Sequence, residues 1–382
     1  MRIGLHLPTI GFVGGIERYA WDLARDLRAR GHELVLLHGD ERGRDPGPFL
    51  EAFDEARPAS TPDCAADLDV AYVQRASDVR ELSTLGDVPL AIASHDHAHT
   101  CPRTYRYLPF SAQPCHRSAG VTCILHGCVV VRDRRPTARV ALRPTRPFAL
   151  RSRLARLALR GPLLACSRYV AGNIVAAGVE PSRVQVVYPV PVEDPRPVVE
   201  RPTEPRLAVC GQLVRGKGVD LAIEALAHMP PETTLDVIGD GPSRSSLEAL
   251  ARQRAPGRVR FRGYVPPEQV AAAYDAASVV LVPARWPEPF GMTGIEAMRR
   301  ARPVAAAAHG GIPEWLNDGV GGFLFRPGSA RGLAKAATAL LADGAVGRQA
   351  LEWARRCFPR EGLVGQLEAI LGGLSRRGAG RR

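Results

Sequence analysis

No run of about eighteen apolar residues occurs in the chain, so no transmembrane helix is expected. Cysteine is sparse: eight in 382 residues do not make a disulfide scaffold. Lysine is rare, and arginine carries almost all of the positive charge. No sequence repeat of solenoid period is present. No small-residue cleavage site follows the apolar start MRIGLHLPTIGFVGG. That start reads as a first strand rather than a signal peptide, and the expected location is the cytoplasm. None of the glycine-rich turns is a G-x-G-x-x-G or a Walker sequence, which excludes the dinucleotide and P-loop readings.

What is present is a globular composition, 45% hydrophobic and 24% charged. The length exceeds one ordinary core and implies two domains. Net charge is +12, from 51 Lys and Arg against 39 Asp and Glu. Such an excess points to an anionic partner: nucleic acid, a membrane surface or phosphorylated ligands. The competing explanation is coding bias, since arginine, alanine, glycine and proline are all abundant.

Apolar strands alternate with helical stretches along the whole chain. RIGLHLP (2–8) is the first strand, and GFVGG (11–15) is a glycine turn. Ile16, Tyr19, Ala20, Leu23 and Leu27 then mark one face of a helix ended by Gly31. ELVLLHG, LDVAYVQ (68–74), PLAIASH (89–95), GPLLACS (161–167) and VQVVYPV (184–190) are further strands. Residues 96 to about 160 read as a long irregular stretch. EDPRPVVERPTE (193–204) has three prolines and no hydrophobic periodicity, so it is the expected linker. It separates an N-terminal domain, 1–192, from a C-terminal one, 205–360, followed by a helix and basic tail at 361–382. In the second domain the strands are RLAVCGQL, TLDVIGDG, VRFRGYV, VVLVPAR, PVAAAAH and GFLFRPG, with helices beginning near Val219, Ser243, Pro267, Gly291 and Pro313. Continuous apolar strands interleaved with helices predict parallel sheets covered on both faces. The fold class is therefore α/β, with two Rossmann-like doubly wound domains facing across a cleft. Ligands of such sheets bind outside the carboxyl ends of the strands.

Three turns lie at those strand ends: Gly14-Gly15, GQLVRGKG (211–218) and EPFGMTG (288–294). A helix N-terminus offers free N–H groups and partial positive charge, hence a phosphate site. Lys217 adds a point charge and Arg215 a fork. Glu288 and Glu296 flank the third turn with seven residues between them. A diphosphate repels carboxylates, so these two should face hydroxyl groups, Glu296 a ribose and Glu288 a second sugar. The bland alternative is that Glu288 complements the helix dipole and Glu296 is solvated.

Together these blocks resemble the retaining GT-B glycosyltransferases of glycosyltransferase family 4 over nearly the full chain. The likeness is strongest from 205 to 330: GQLVRGKGVDLAIEAL, LDVIGDGP, VRFRGYVPPEQVAAAYDAASVVLVPARWPEPFGMTGIEAM and HGGIPEWLNDGVGGFLF. PEPFGMTGIEA looks like that family's E-x7-E motif. The resemblance implies that Glu296 holds the nucleotide ribose and Glu288 the transferred sugar. It implies that Phe290, Gly291, Met292 and Thr293 wrap the diphosphate and sugar, and that Lys217 binds phosphate. Gly211 and Gly239 would line the nucleotide, and Gly14 and Gly15 would approach the phosphate from the other domain. This chain departs from the family at Gln212, where arginine is usual; Arg215 is expected to supply that charge. It departs again at VYPVPV (187–192), where relatives have an Asn-Gly turn. His95, in HDHAH (95–99), matches a strand-end histidine beside the reacting sugar, with His97 second. Three histidines within five residues also fit metal ligands.

The implied reaction moves a sugar, with retention, from a UDP- or GDP-sugar to a hydroxyl acceptor. No cofactor and no metal are expected. The leaving diphosphate would help deprotonate the acceptor, and Lys217, Arg215 and the helix N-terminus at 291–294 would stabilise the developing charge.

Two features lie outside this core. Cys101, Cys115, Cys123 and Cys128 have the spacing C-x13-C-x7-C-x4-C. They read as ordinary thiols or, alternatively, as a zinc or disulfide staple. Ten arginines lie between 132 and 160 with only Asp133 opposing them, and leucines interleave from 150 onward. This is the pattern of a peripheral contact with an anionic membrane, and it favours a lipid-linked acceptor; the alternative is a solvated arginine-rich helix. A glycan or secondary-metabolite acceptor stays open. The competing classes are a nucleotide-sugar epimerase or hydrolase on the same architecture, and a non-enzymatic anion-binding protein. No carboxylate set for epimerisation is present. No helix-turn-helix, zinc finger or aromatic RNA-binding pattern supports nucleic-acid binding.

Overall fold

The structure, a computed structural model, describes residues 1–111, 113–132, 142–192 and 195–375. The chain divides into two compact units, Met1–Val190 with Glu361–Arg382, and Pro191–Arg360. In the first unit seven parallel strands form one sheet in the order β3-β2-β1-β4-β5-β8-β9. They are β1 (Arg2–Ile10), β2 (Glu33–Arg42), β3 (Glu55–Pro58), β4 (Val70–Val73), β5 (Leu90–Ser94), β8 (Leu163–Ala165) and β9 (Val184–Val186). A separate antiparallel ribbon pairs β6 (Val130–Arg132) with β7 (Leu142–Pro144). All residues of β4 and β5 are buried, which explains why these strands read as unbroken apolar runs. The helix Gly15–Ala29 buries Tyr19, Ala20, Leu23 and Leu27, and Gly31, at φ +83°, lets the chain leave it. Neither β3, the ribbon nor the short helix Val121–Leu125 was expected from the residue pattern. The stretch read as irregular to about 160 ends in a regular helix, Pro147–Arg160. Pro147 starts it, and Leu154, Leu157 and Ala158 supply its buried face.

The final helix, Arg360–Leu374, belongs to this first unit. Glu368 accepts from Arg30 Nη1 at 2.9 Å and pairs with His32 Nε2 at 2.8 Å.

The second unit holds six parallel strands in the order β12-β11-β10-β13-β14-β15. They are β10 (Arg206–Cys210), β11 (Thr234–Ile238), β12 (Val259–Gly263), β13 (Val279–Val282), β14 (Val304–Ala307) and β15 (Gly322–Phe325). Leu207, Val209, Leu235, Val237, Val279 and Leu281 form the centre of its core, covered by Leu221, Leu333 and Leu340 among others. A helix was expected near Pro313; only one turn, Ile312–Glu314, forms. The following NDGVGG closes a turn instead: Asp318 Oδ1 accepts the Leu324 N–H at 2.7 Å, and Gly319 takes φ +86°.

The proline-rich stretch makes no ladder, so its carbonyls need other donors. Arginine supplies them. Arg300 donates to Arg196 O and Pro197 O at 2.9 and 2.8 Å, and Arg302 to Val199 O and Glu200 O, both at 3.1 Å. Arg302 is 0% exposed and also bonds the carbonyls of Tyr274, Asp275 and Arg300. Arg300 is held in turn by both oxygens of Asp275. Arg302→Leu would strand several of these acceptors, at roughly 1–3 kcal/mol for a buried polar group left unmade. We expect a loss of about 3 kcal/mol or more from the second unit, read as a lower urea midpoint by fluorescence; three of the four tryptophans, Trp286, Trp315 and Trp353, lie in that unit.

Candidate active site

Two strand ends in the second unit build the site. β10 runs into the turn 211–218, where the Gly211 N–H donates to Ile238 O at 2.9 Å and Arg215–Lys217 form one tight helical turn. β13 runs into the loop carrying Glu288, and the helix Met292–Arg299 follows. Gly291 caps that helix at φ +96°, a conformation that favours glycine. A cavity lies between these segments, lined by Gly211, Gln212, Lys217, Glu288, Gly291 and Thr293 over the ends of β10 and β13. A free N-terminal helix turn and a lysine meet there, a setting suited to an anion. The chain has two lysines, Lys217 and Lys335, against 49 arginines. The compact ammonium at 217 is therefore a departure from the chain's own composition.

Glu288 is 7% exposed, and each of its oxygens has a donor. Lys217 Nζ donates to Oε1 and the Trp286 indole N–H to Oε2, both at 2.7 Å. Burial alone would raise this carboxyl; the Lys217 charge and the hydrogen bonds of Lys217 and Trp286 outweigh it and hold the group below its ordinary value. Glu288 is thus a fixed anion.

The cavity brings together five of the expected residues, Gly211, Lys217, Glu288, Gly291 and Thr293. The other expected residues of this unit do not line it. Arg215 is exposed on the outer side of its turn. Gly239 follows β11 and donates its N–H to Gly263 O at 2.7 Å. Phe290 is 2% exposed, packs edge-on to Phe358 and accepts the Trp315 indole N–H on its carbonyl at 2.6 Å. Met292 opens the helix. Glu296 accepts from the Tyr274 hydroxyl at 2.9 Å. The sequence reading missed Trp286, Tyr274 and Trp315. The only signal for Trp286 was its place two residues before Glu288.

His95, Gly14 and Gly15 belong to the first unit. His95 follows β5, packs edge-on to Tyr19 at 5.0 Å between centroids, and its Nε2 lies 2.8 Å from Gln74 Oε1. Gln74 can only accept there through that oxygen, so the proton sits on Nε2 and Nδ1 is left as the acceptor. Burial lowers the imidazole to about 4, so it is neutral near pH 7. Gly14 precedes the helix Gly15–Ala29, and its N–H donates to Glu17 Oε2 at 2.9 Å. Neither Gln74 nor Glu17 was expected. His99 bonds Ser94 Oγ and Ala76 O, while His97 stacks edge-on to Tyr169. Among the described residues no group of three His, Cys, Asp or Glu side chains could hold a metal ion. Cys101, Cys115, Cys123 and Cys128 are free thiols, and burial, then the neighbouring thiols, push Cys128 up to about 11.

Of the arginine-rich segment 132–160, residues 133–141 lie outside the described residues. On the helix Pro147–Arg160, Arg153 and Arg156 reach Asp78 at 3.1 and 3.8 Å, an opposing charge the local sequence did not show. Phe148 and Leu159 are exposed. Among the described residues no helix is long and apolar enough to cross a membrane.

The family model "Glycosyl transferases group 1" matches residues 193–356, and "Glycosyltransferase Family 4" matches 13–190. A D-inositol 3-phosphate glycosyltransferase of Frankia alni is 28% identical across 90% of this chain and 92% of its own length. Another of that name, from Corynebacterium aurimucosum, is 35% identical, but the match spans 43% of this chain and 42% of that relative. In fold the chain is similar to the Anabaena protein HepE solved in complex with UDP-glucose, at TM-score 0.70 and 21% identity, over 98% of this chain and all of that one. The two parallel-sheet units are those of the GT-B architecture.

Proposed function

Since the chain belongs to the group 1 glycosyl transferases, with the family 4 model over its first unit, we propose that it moves a sugar from a nucleoside-diphosphate sugar to a hydroxyl acceptor, with retention and without a metal. The carrying observation is the cavity in which Lys217 and the N-terminus of the helix Met292–Arg299 stand beside the buried anion Glu288. A diphosphate fits the first two by charge, and sugar hydroxyls fit the third. Glu296 takes the ribose, the N–H groups and hydroxyl of Phe290 to Thr293 hold the phosphates, and Arg215 adds charge from its exposed position. His95, neutral and held by Gln74, orients a hydroxyl through Nδ1. Lys217 and the helix N-terminus stabilise the leaving diphosphate, whose oxygen takes the acceptor proton.

A phosphate-bearing donor should stabilise the fold by mass action. Melting with UDP, GDP, ADP and TDP should single out one nucleotide; at 100 times its dissociation constant it adds about 2.7 kcal/mol. Glu296→Ala should weaken that shift. If none of the four moves the melt, the donor reading is wrong.

The acceptor is lipid-linked in this reading, and 132–160 meets an anionic membrane. The exposed Phe148 and Leu159 on an arginine-bearing helix support it. The protein should float with vesicles containing anionic lipid at low salt and be released as salt rises. Equal recovery with neutral vesicles, or none at any salt, removes the membrane from the account.

A further inference from the structure

Trp286 touches both halves of the donor cavity at once. Its indole N–H bonds Glu288 Oε2 at 2.7 Å. Its ring lies on the turn that carries Lys217: a Cβ on Gly216 would stand 2.0 Å from a ring carbon. The backbone N–H groups of Arg285 and Trp286 both donate to Gly216 O, at 2.8 and 3.3 Å. Lys217 Nζ sits 5.5 Å from the ring centroid. The neighbouring Arg285 grips Asp220 through two nitrogens, so the Glu288 loop and the Lys217 turn are joined on either side of the indole.

The Lys217–Glu288 pair poses an electrostatic problem. Lys217 is paired with Glu288, yet the same ammonium is the cation a diphosphate would take. Drawing Lys217 toward phosphate leaves a buried carboxylate with less compensation and brings a second anion near it. Both changes favour protonation of Glu288, and a protonated carboxyl is a poorer acceptor for sugar hydroxyls.

Resting on the nucleotide-sugar reading of this cavity, we infer that Trp286 is the positioning residue that keeps Glu288 charged and in place through Oε2 while Lys217 passes from Oε1 to the donor diphosphate. Oε1 is then free for a sugar hydroxyl. Lys217 is the donor that moves, and Trp286 the donor that stays.

The test counts protons. Calorimetric titration at pH 5.5 in buffers of different ionisation enthalpy gives the protons taken up as the nucleoside diphosphate binds; UDP, GDP, ADP and TDP are the probes. Trp286→Phe keeps an aromatic ring at this position and removes the N–H together with part of the indole's bulk. It should take up a few tenths of a proton more than wild type, because the carboxyl has lost a hydrogen bond that favoured its charged form. The double variant Trp286→Phe with Glu288→Gln should lose that excess, which assigns it to Glu288. Equal proton counts for wild type and Trp286→Phe, or an excess that survives in the double variant, would overturn the inference. A Trp286→Phe protein that no longer binds the nucleotide would also overturn it, since the indole would then be a support of the turn. Failure of the underlying reading is a different result: none of the four nucleotides binds wild type.

Discussion

The second unit's site depends on one buried carboxylate being kept charged. An isolated ionised carboxylate costs too much to bury, and it neutralises itself unless it is paired and hydrogen-bonded. Glu288 meets both conditions, with an ammonium on one oxygen and an indole N–H on the other. Its partners come from two strands that are neighbours in the sheet, β10 and β13, although Lys217 and Glu288 are far apart in sequence. The sheet order therefore creates the site: the turns after these strands must emerge side by side. Gly291 adds the remaining constraint, because the loop has to reverse at positive φ to bring a helix N-terminus to the same cavity.

The first unit solves a related problem in the opposite sense. His95 is kept neutral by burial, and the Gln74 bond fixes which nitrogen accepts. In the reaction we propose, a charged anion in the second unit holds hydroxyls beside phosphate, and a neutral imidazole in the first orients a hydroxyl without adding positive charge. In the proposed reaction neither acts as a nucleophile, and the chemistry is done by placement of charge.

Much of this was legible in the sequence. The apolar runs of β4, β5 and β13 are buried throughout, so their pattern survives any packing detail. The E-x7-E block and Lys217 were readable because they sit at strand ends, where the fold class puts ligands. The gripping partners were not readable. Gln74, Tyr274 and Trp315 act on residues 21, 22 and 25 positions away, and nothing local marks a donor that tertiary packing delivers. The expected helix at Pro313 failed because the proline gave a start and the NDGVGG run that follows prefers a turn. The proline-rich stretch looked unattached because its anchors, Arg300 and Arg302, lie about a hundred residues on.

The most direct test is the affinity of Glu288→Gln for the nucleoside diphosphate alone, measured by calorimetry beside wild type. Removing the carboxylate charge releases Lys217 and takes away a repelling anion. The account predicts tighter binding than wild type, by several-fold at low salt. Weaker binding would mean that Glu288 supports the diphosphate directly or only builds the turn, and that Lys217 is not exchanged between them.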